Sequence, residues 1–147
     1  MTPDEIFKYG NMLAMAGWVA LIFLPRRWRI IWLPRFIIPA ILAFAYAPLA
    51  LTNFFTAEGG FSSIADVRAL FENDAMLTAG WLHYLAFDLF VGSWIAIEAD
   101  KARISRIIQA APLIATFMFG PVGFLLFLLT RVMMEGAVAR NAAGETA

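Results

Sequence analysis

The chain has 147 residues, enough for one domain, and 62% of them are hydrophobic. Soluble domains are nearer half apolar, so this composition and the mean hydropathy of +0.76 predict an integral membrane protein. The formal net charge is zero, which argues against nucleic-acid binding, and the lack of cysteine excludes disulfides, thiol catalysis and thiolate metal sites. One histidine cannot build a histidine-rich metal site, so no metal is expected. The acidic start of the chain predicts no cleavable signal peptide.

Four apolar runs are each long enough to cross a membrane as a helix. They cover residues 6–24, 30–51, 79–97 and 107–131. The runs are continuous and do not alternate, so they predict helices and not barrel strands. The predicted fold is therefore an all-α membrane protein, a single bundle of four transmembrane helices over residues 1–147. The tail is predicted to fray from about residue 136.

The longest connection, residues 52–78, contains the stretch "SSIADVRALFEND". Apolar residues recur there at helical spacing, namely Ile64, Val67, Leu70 and Phe71. Ser62 or Ser63 could cap such a helix. This pattern predicts a short amphipathic helix that lies on the membrane surface or caps the bundle. An ordinary outer-loop helix with no part in a site fits the same pattern.

Basic residues are concentrated in the connections that follow the first and third predicted spans. Seven of the 11 lie there: Arg26, Arg27, Arg29, Arg35, Lys101, Arg103 and Arg106. The other four are Lys8, Arg68, Arg131 and Arg140. Since loops rich in lysine and arginine stay in the cytoplasm, this distribution predicts an inner-membrane protein with both termini outside the cytoplasm.

The third predicted span, "WLHYLAFDLF", contains the single histidine, His83, and a carboxylate, Asp88. Ionisable groups inside a span are costly and usually face a bundle interior or a polar cavity. A separation of five residues is about 140° of rotation and about 7.5 Å of rise, so the two side chains do not share a face. Tyr84 shares the face of Asp88. The residues could act as general acid and base, or could join helices by hydrogen bonds, and the pattern fits both.

Three further features could contribute to a site. In "MFGPVGF", Pro121 cannot donate to the carbonyl of Phe117, so the helix should kink there, beside Gly120 and Gly123. The gap could line a pocket or be filled by packing. Asn11 and Asn53 are candidate polar partners from the first two spans, and Asp100 lies in a charged surface loop that is either salt-bridged or part of the site. Four tryptophans near predicted helix ends suit an interfacial belt: Trp28, Trp32, Trp81 and Trp94.

"WLHYLAFDLF", the later Asp100 and "FGPVG" together resemble the neoxanthin synthase family, which comprises the plant abscisic-acid-deficiency protein four and its bacterial and algal relatives. The likeness runs from about Leu70 to Gly123, and in the first two spans it extends only to hydropathy and length. The matching residues are Trp81, His83, Asp88, Leu89, Phe90, Asp100, Pro121 and Gly123. Gly120 departs from the cysteine of plant members and no transit peptide precedes the first span, which suggests a bacterial homologue.

The resemblance implies a function on a carotenoid or another long isoprenoid. Plant members are associated with turning violaxanthin into neoxanthin, which opens an epoxide, loses a proton beside the ring and makes an allene. This is a redox-neutral isomerisation that needs no cofactor. On this reading His83 and Asp88 act as acid and base, and Tyr84 and Asp100 orient or tune them. The predicted ligand-binding residues are Asn11, Asn53, Trp81, Phe117, Gly120, Pro121 and Gly123.

Two other functions remain open at this point. The same residues could hold a pigment or lipid in a non-catalytic carotenoid- or lipid-binding accessory protein. A small proton-coupled transporter ranks last, because four short spans without repeats suit alternating access poorly. The expected partners are membrane lipid and a long apolar ligand, with no nucleic acid, and a homo-oligomer is left open.

Overall fold

The computed structural model describes residues 1–26 and 29–144, with side chains up to Met134. Arg27 and Trp28, which the charge and belt predictions include, lie outside the described residues. The elements are α1 (Pro3–Phe23), a π-helical turn (Leu33–Ile37), α2 (Ile38–Asn53), α3 (Ile64–Phe71), α4 (Asp74–Lys101), α5 (Arg106–Phe119) and α6 (Pro121–Gly144). No strand occurs in this part of the chain, so the all-α prediction is confirmed there. The fraying predicted from about residue 136 stays a prediction.

Three helical segments are long and apolar enough to cross a membrane: Pro3–Phe23, Leu33–Asn53 and Asp74–Lys101. They correspond to the first three predicted spans and fit an integral membrane protein. The second segment opens with the π-helical turn because Pro39 has no N–H to donate back to Arg35, so the chain closes its bonds over a wider turn there.

The fourth predicted span is not one helix. The α5 helix ends at Phe119, Gly120 takes φ 53° and ψ −107°, and Pro121 begins α6. The predicted break at Pro121 is therefore confirmed, but the chain reverses there and does not merely kink. Glycine permits this because a positive φ costs it no Cβ clash, and proline suits the first position of the next helix.

Local sequence signals account for how the shorter elements begin. Thr2 and Glu5 form a reciprocal cap at the start of α1: the Glu5 amide donates to Thr2 Oγ1 over 3.3 Å, and the Thr2 amide donates to Glu5 Oε2 over 2.9 Å. At α3, Ser63 Oγ accepts from the Asp66 amide over 3.1 Å, which confirms the predicted amphipathic helix and its cap. Leu70 is the fully buried residue of α3.

The chain separates into two compact units, Met1–Phe90 and Val91–Ala147, and α4 runs through both as one helix. In the first unit, α1 lies close against α4 because a Cβ on Gly10 would come within 2.6 Å of Leu82 Cδ2, and Gly17 likewise contacts Leu89. In the second unit, α5 and α6 pack on each other as a hairpin. Gly123 of α6 lies directly on Thr116 of α5, so closely that a Cβ would overlap the Thr116 backbone nitrogen.

Candidate functional site

One face of α4 carries Trp81, Tyr84 and Asp88, at positions i, i+3 and i+7. The Trp81 and Tyr84 rings lie with their centroids 5.3 Å apart. The Tyr84 hydroxyl approaches the Asp88 carboxyl and interacts with it electrostatically. The three side chains therefore form a continuous row along the helix, which we call the α4 polar row.

Helix α1 holds the first residue of this row in place. The Trp81 indole Nε1 donates to Asn11 Oδ1 over 3.0 Å, and the Phe7 ring lies with its centroid 5.5 Å from that of Trp81. Asn11 Nδ2 donates to the Phe7 carbonyl over 2.8 Å, so both polar atoms of the amide are engaged. Asn11 thus provides an interhelical hydrogen bond, and it brings two of the predicted ligand-binding residues together.

Asp88 is one of three described residues with a buried side-chain polar atom that lacks a hydrogen-bond partner; the others are Arg35 and Ser93. The Asp88 side chain is half-buried, and Oδ2 is fully buried without a hydrogen-bond donor among the residues that the structure describes. Buried polar atoms normally have partners, because leaving one unpaired costs about 1–3 kcal/mol. Asp88 Oδ2 is therefore an acceptor, or in the acid form a donor, whose hydrogen-bonding capacity is not used by the described residues.

The His83 ring contacts the aromatic residues Phe87 and Tyr46. It stacks on Phe87 with the centroids 4.6 Å apart, and it lies 5.9 Å from the ring of Tyr46 on α2. His83 is exposed at the protein surface, whereas Asp88 interacts with Tyr84 on its own helix. The structure does not bring His83 and Asp88 into contact, and the pocket that they were predicted to share stays a prediction.

Two of the apolar grooves among the described residues open on the first unit. The larger, of about 500 Å³, lies between α1 and α2 and is closed by Leu82 of α4. Gly10, Leu13, Ile41, Ala45 and Pro48 are among its lining residues. The smaller, of about 340 Å³, lies between α2 and α4. Its wall includes Phe87, the residue on which His83 stacks. Neither groove is lined by His83 or Asp88 themselves.

Asn53 and Asp100 form hydrogen bonds with residues outside the α4 polar row. Asn53 Nδ2 donates to the Leu49 carbonyl over 2.8 Å, a bond within its own helix. Asp100 lies 12 residues after Asp88, about 18 Å along α4, and its Oδ1 accepts from Gln109 Nε2 over 2.8 Å. Glu98 and Lys101 of "EADKAR" lie in the last turn of α4 and not in the predicted loop, but they form the salt bridge that the simpler interpretation predicted, with Lys101 Nζ 2.7 Å from Glu98 Oε1.

The predicted residues Phe117, Gly120, Pro121 and Gly123 all lie in the α5–α6 hairpin. The space beside Gly123 is occupied by Thr116, so no ligand fits between the helices at that point. Two residues were not among the predicted site residues: Tyr46, which approaches His83, and Gln109, which is 1% exposed. Gln109 could have been identified from the sequence, because it is a polar residue at the start of an apolar run. In the described residues no group of three or more His, Cys, Asp or Glu side chains could hold a metal ion.

These elements define an all-helical protein whose apolar helices fit an integral membrane protein, with a polar row along its longest helix. The chain belongs to the ABA4-like family: the family model described as ABA DEFICIENT 4-like matches residues 5–127. The resemblance to the abscisic-acid-deficiency protein four is thereby confirmed, and the match also covers the first two spans. No curated protein and no solved structure matches the chain.

Proposed function

We propose that this protein is a membrane enzyme that isomerises a carotenoid or related isoprenoid by acid–base chemistry, with Asp88 as the catalytic group. The buried, unpaired Asp88 Oδ2 is the observation that carries this proposal. A carboxyl that served only to join helices would be expected to use both oxygens on neighbouring donors. Asp88 instead keeps one oxygen free inside an apolar span, an arrangement that is costly without a function.

The reaction requires one proton to be given and one to be removed. An acid protonates the epoxide oxygen as the C–O bond breaks, and a base takes a proton from the carbon beside the ring as the new double bond forms. No electrons enter or leave. One carboxyl can do both in turn: Asp88 donates its proton to the oxygen, and the resulting carboxylate then accepts the carbon-bound proton. The acid form is restored, so no cofactor is required.

Tyr84 is the positioning residue in this proposal. Its hydroxyl interacts with the Asp88 carboxyl, and its ring is supported by Trp81, which Asn11 holds from α1. Such support fixes a catalytic group near its working geometry. His83 is the second candidate for the base, but its exposed position against Phe87 and Tyr46 gives it no contact with Asp88.

The apolar groove between α1 and α2 supports a long apolar ligand. Its volume of about 500 Å³ lies in the range of ordinary ligand sites, and its walls are almost entirely aliphatic and aromatic. The same groove also fits the second candidate function, a carotenoid- or lipid-binding accessory protein, which would bind the ligand without converting it.

Mass spectrometry of the lipid extract from the purified protein, followed by turnover of an epoxy-carotenoid, tests the proposal. Asp88→Asn preserves shape but cannot exchange the proton, so we expect the fold and ligand binding to remain and turnover to vanish. Tyr84→Phe should lower turnover with less effect on binding. Glu58→Gln, which changes an exposed carboxylate in a loop, is the matched control and should turn over normally.

The possible outcomes separate the two functions. Turnover that survives in Asp88→Asn would exclude Asp88 as the catalytic group. Turnover that is lost in His83→Gln but kept in Asp88→Asn would assign the chemistry to His83. A wild-type protein that retains a carotenoid but never converts it would indicate the accessory function.

A further inference from the structure

Both arms of the α5–α6 hairpin are attached to the same end of α4. Near the start of α5, Gln109 Nε2 donates to Asp100 Oδ1 over 2.8 Å. Eleven residues beyond the hairpin tip, Arg131 Nη1 lies 3.8 Å from Glu98 Oε2. Glu98 and Asp100 belong to the last turn of α4. The chain therefore leaves the end of α4 along α5 and comes back to it along α6.

The aromatic contacts give the depth that the hairpin reaches. The Trp94 ring on α4 lies 5.8 Å from that of Phe124 and 5.7 Å from that of Phe127. Trp94 lies about 10 Å from Lys101, the last residue of α4. Gly120, at the tip of the hairpin, lies about 6 Å beyond Phe124 along the chain. The tip is therefore about 16 Å from the end of α4. The hydrocarbon core is about 30 Å thick. The tip therefore lies near its middle.

Helix length agrees with this depth. The α5 helix has 14 residues, which is about 21 Å and too short to cross the core. The α6 helix has 24 residues in all, but its apolar part ends before Glu135, and Pro121–Met134 has 14 residues. A helical stretch of this length covers about two thirds of the hydrocarbon core, so neither stretch can span it alone.

The backbone at the tip is compatible with a position inside the membrane. Irregular backbone is tolerated at that depth only where protein satisfies and covers it. Gly120 is buried, its N–H donates to the Thr116 carbonyl over 2.8 Å, and its carbonyl accepts from the Gly123 N–H over 3.0 Å. The side chain of Thr116 is also satisfied, because Oγ1 donates to the Pro112 carbonyl over 2.8 Å.

From these contacts we propose that α5 and α6 form a re-entrant hairpin, which enters and leaves the membrane on the side where α4 ends. The C-terminus then lies on the side of the basic connections, opposite to the N-terminus. Charge supports this independently. With Arg131 and Arg140 on that side, nine of the 11 basic residues share one surface, and only Lys8 and Arg68 remain on the other. A bias this strong is what the positive-inside rule expects of a cytoplasmic surface.

Single cysteines can test the topology directly, since the chain has none of its own. Gly60→Cys reports the connection between α2 and α3, where an added Cβ meets nothing within 4 Å. Ala102→Cys reports the end of α4, and Met133→Cys and Ala147→Cys report the chain beyond the hairpin. Sealed vesicles of one orientation are treated with a membrane-impermeant thiol reagent, and total labelling is measured after detergent is added.

We expect Met133→Cys and Ala147→Cys to be labelled or protected together with Ala102→Cys and opposite to Gly60→Cys. If both instead follow Gly60→Cys, the hairpin crosses the membrane and the proposal is wrong. A cleavable tag after Ala147, digested by protease from one side, gives a second measurement that does not depend on thiol reactivity. The assay uses no ligand, so its outcome is independent of the proposed function.

Discussion

Gly123→Ala should separate the two arms of the hairpin. The added Cβ would overlap the backbone nitrogen of Thr116 on the facing helix. Atoms in van der Waals contact lie about 3.5–4.0 Å apart, so the arms must move by about 1 Å or more. A backbone atom cannot rotate away as the end of a side chain can, and the shift must therefore be taken up by the whole hairpin.

The expected cost is a net of about 1–2 kcal/mol. Overpacking of a well-packed contact costs about 1–3 kcal/mol, and we expect the upper part of that range because the clash is with backbone. Alanine is more favourable than glycine in a helix by up to about 1 kcal/mol, and this difference offsets part of the cost. For a chain of about 150 residues, each kcal/mol lowers the unfolding temperature by about 2–4 °C, so the midpoint should fall by about 2–8 °C.

Thermal unfolding in detergent, followed by circular dichroism, measures this shift against two matched glycines. Gly60→Ala meets open space and should unfold within about 1 °C of the unmodified protein. Gly10→Ala comes too close only to Leu82 Cδ2, the end of a flexible side chain at 2.6 Å, and should lie between the two. If Gly123→Ala unfolds at the same temperature as Gly60→Ala, the close approach of α5 and α6 is refuted.

Three further changes probe single contacts. Trp81→Phe keeps an aromatic ring but removes the indole donor to Asn11, and in a double-mutant cycle with Asn11→Ala the coupling measured by denaturant titration should be about 0.6 kcal/mol. Gln109→Ala removes at least two hydrogen bonds, one of them to Asp100, and should cost about 2–3 kcal/mol; a silent change would contradict the attachment of α5 to α4. Ser63→Ala should weaken α3 by about 1 kcal/mol, seen as faster amide hydrogen exchange confined to that helix.

The membrane class, the helical fold and the starts of several helices could be predicted from the sequence because each follows from local chemistry. Continuous apolar runs can only be helices in lipid, Ser63 caps the helix that follows it, and Pro121 cannot extend the helix before it. The family followed from short motifs in the third and fourth predicted spans, "WLHYLAFDLF" and "FGPVG", together with Asp100. The offset of His83 from Asp88 also followed from sequence, because helical rotation is the same in every protein.

The direction of the chain after Gly120, and the partners of the site residues, were decided only by tertiary structure. A glycine–proline pair predicts that a helix breaks, but the angle depends on what packs beyond it, here Gly123 on Thr116 and Gln109 on Asp100. Trp81 meets Asn11 across 70 positions, a pairing that no spacing rule contains. Side chains on separate helices meet according to how those helices pack, and packing is a property of the folded chain and not of any one segment.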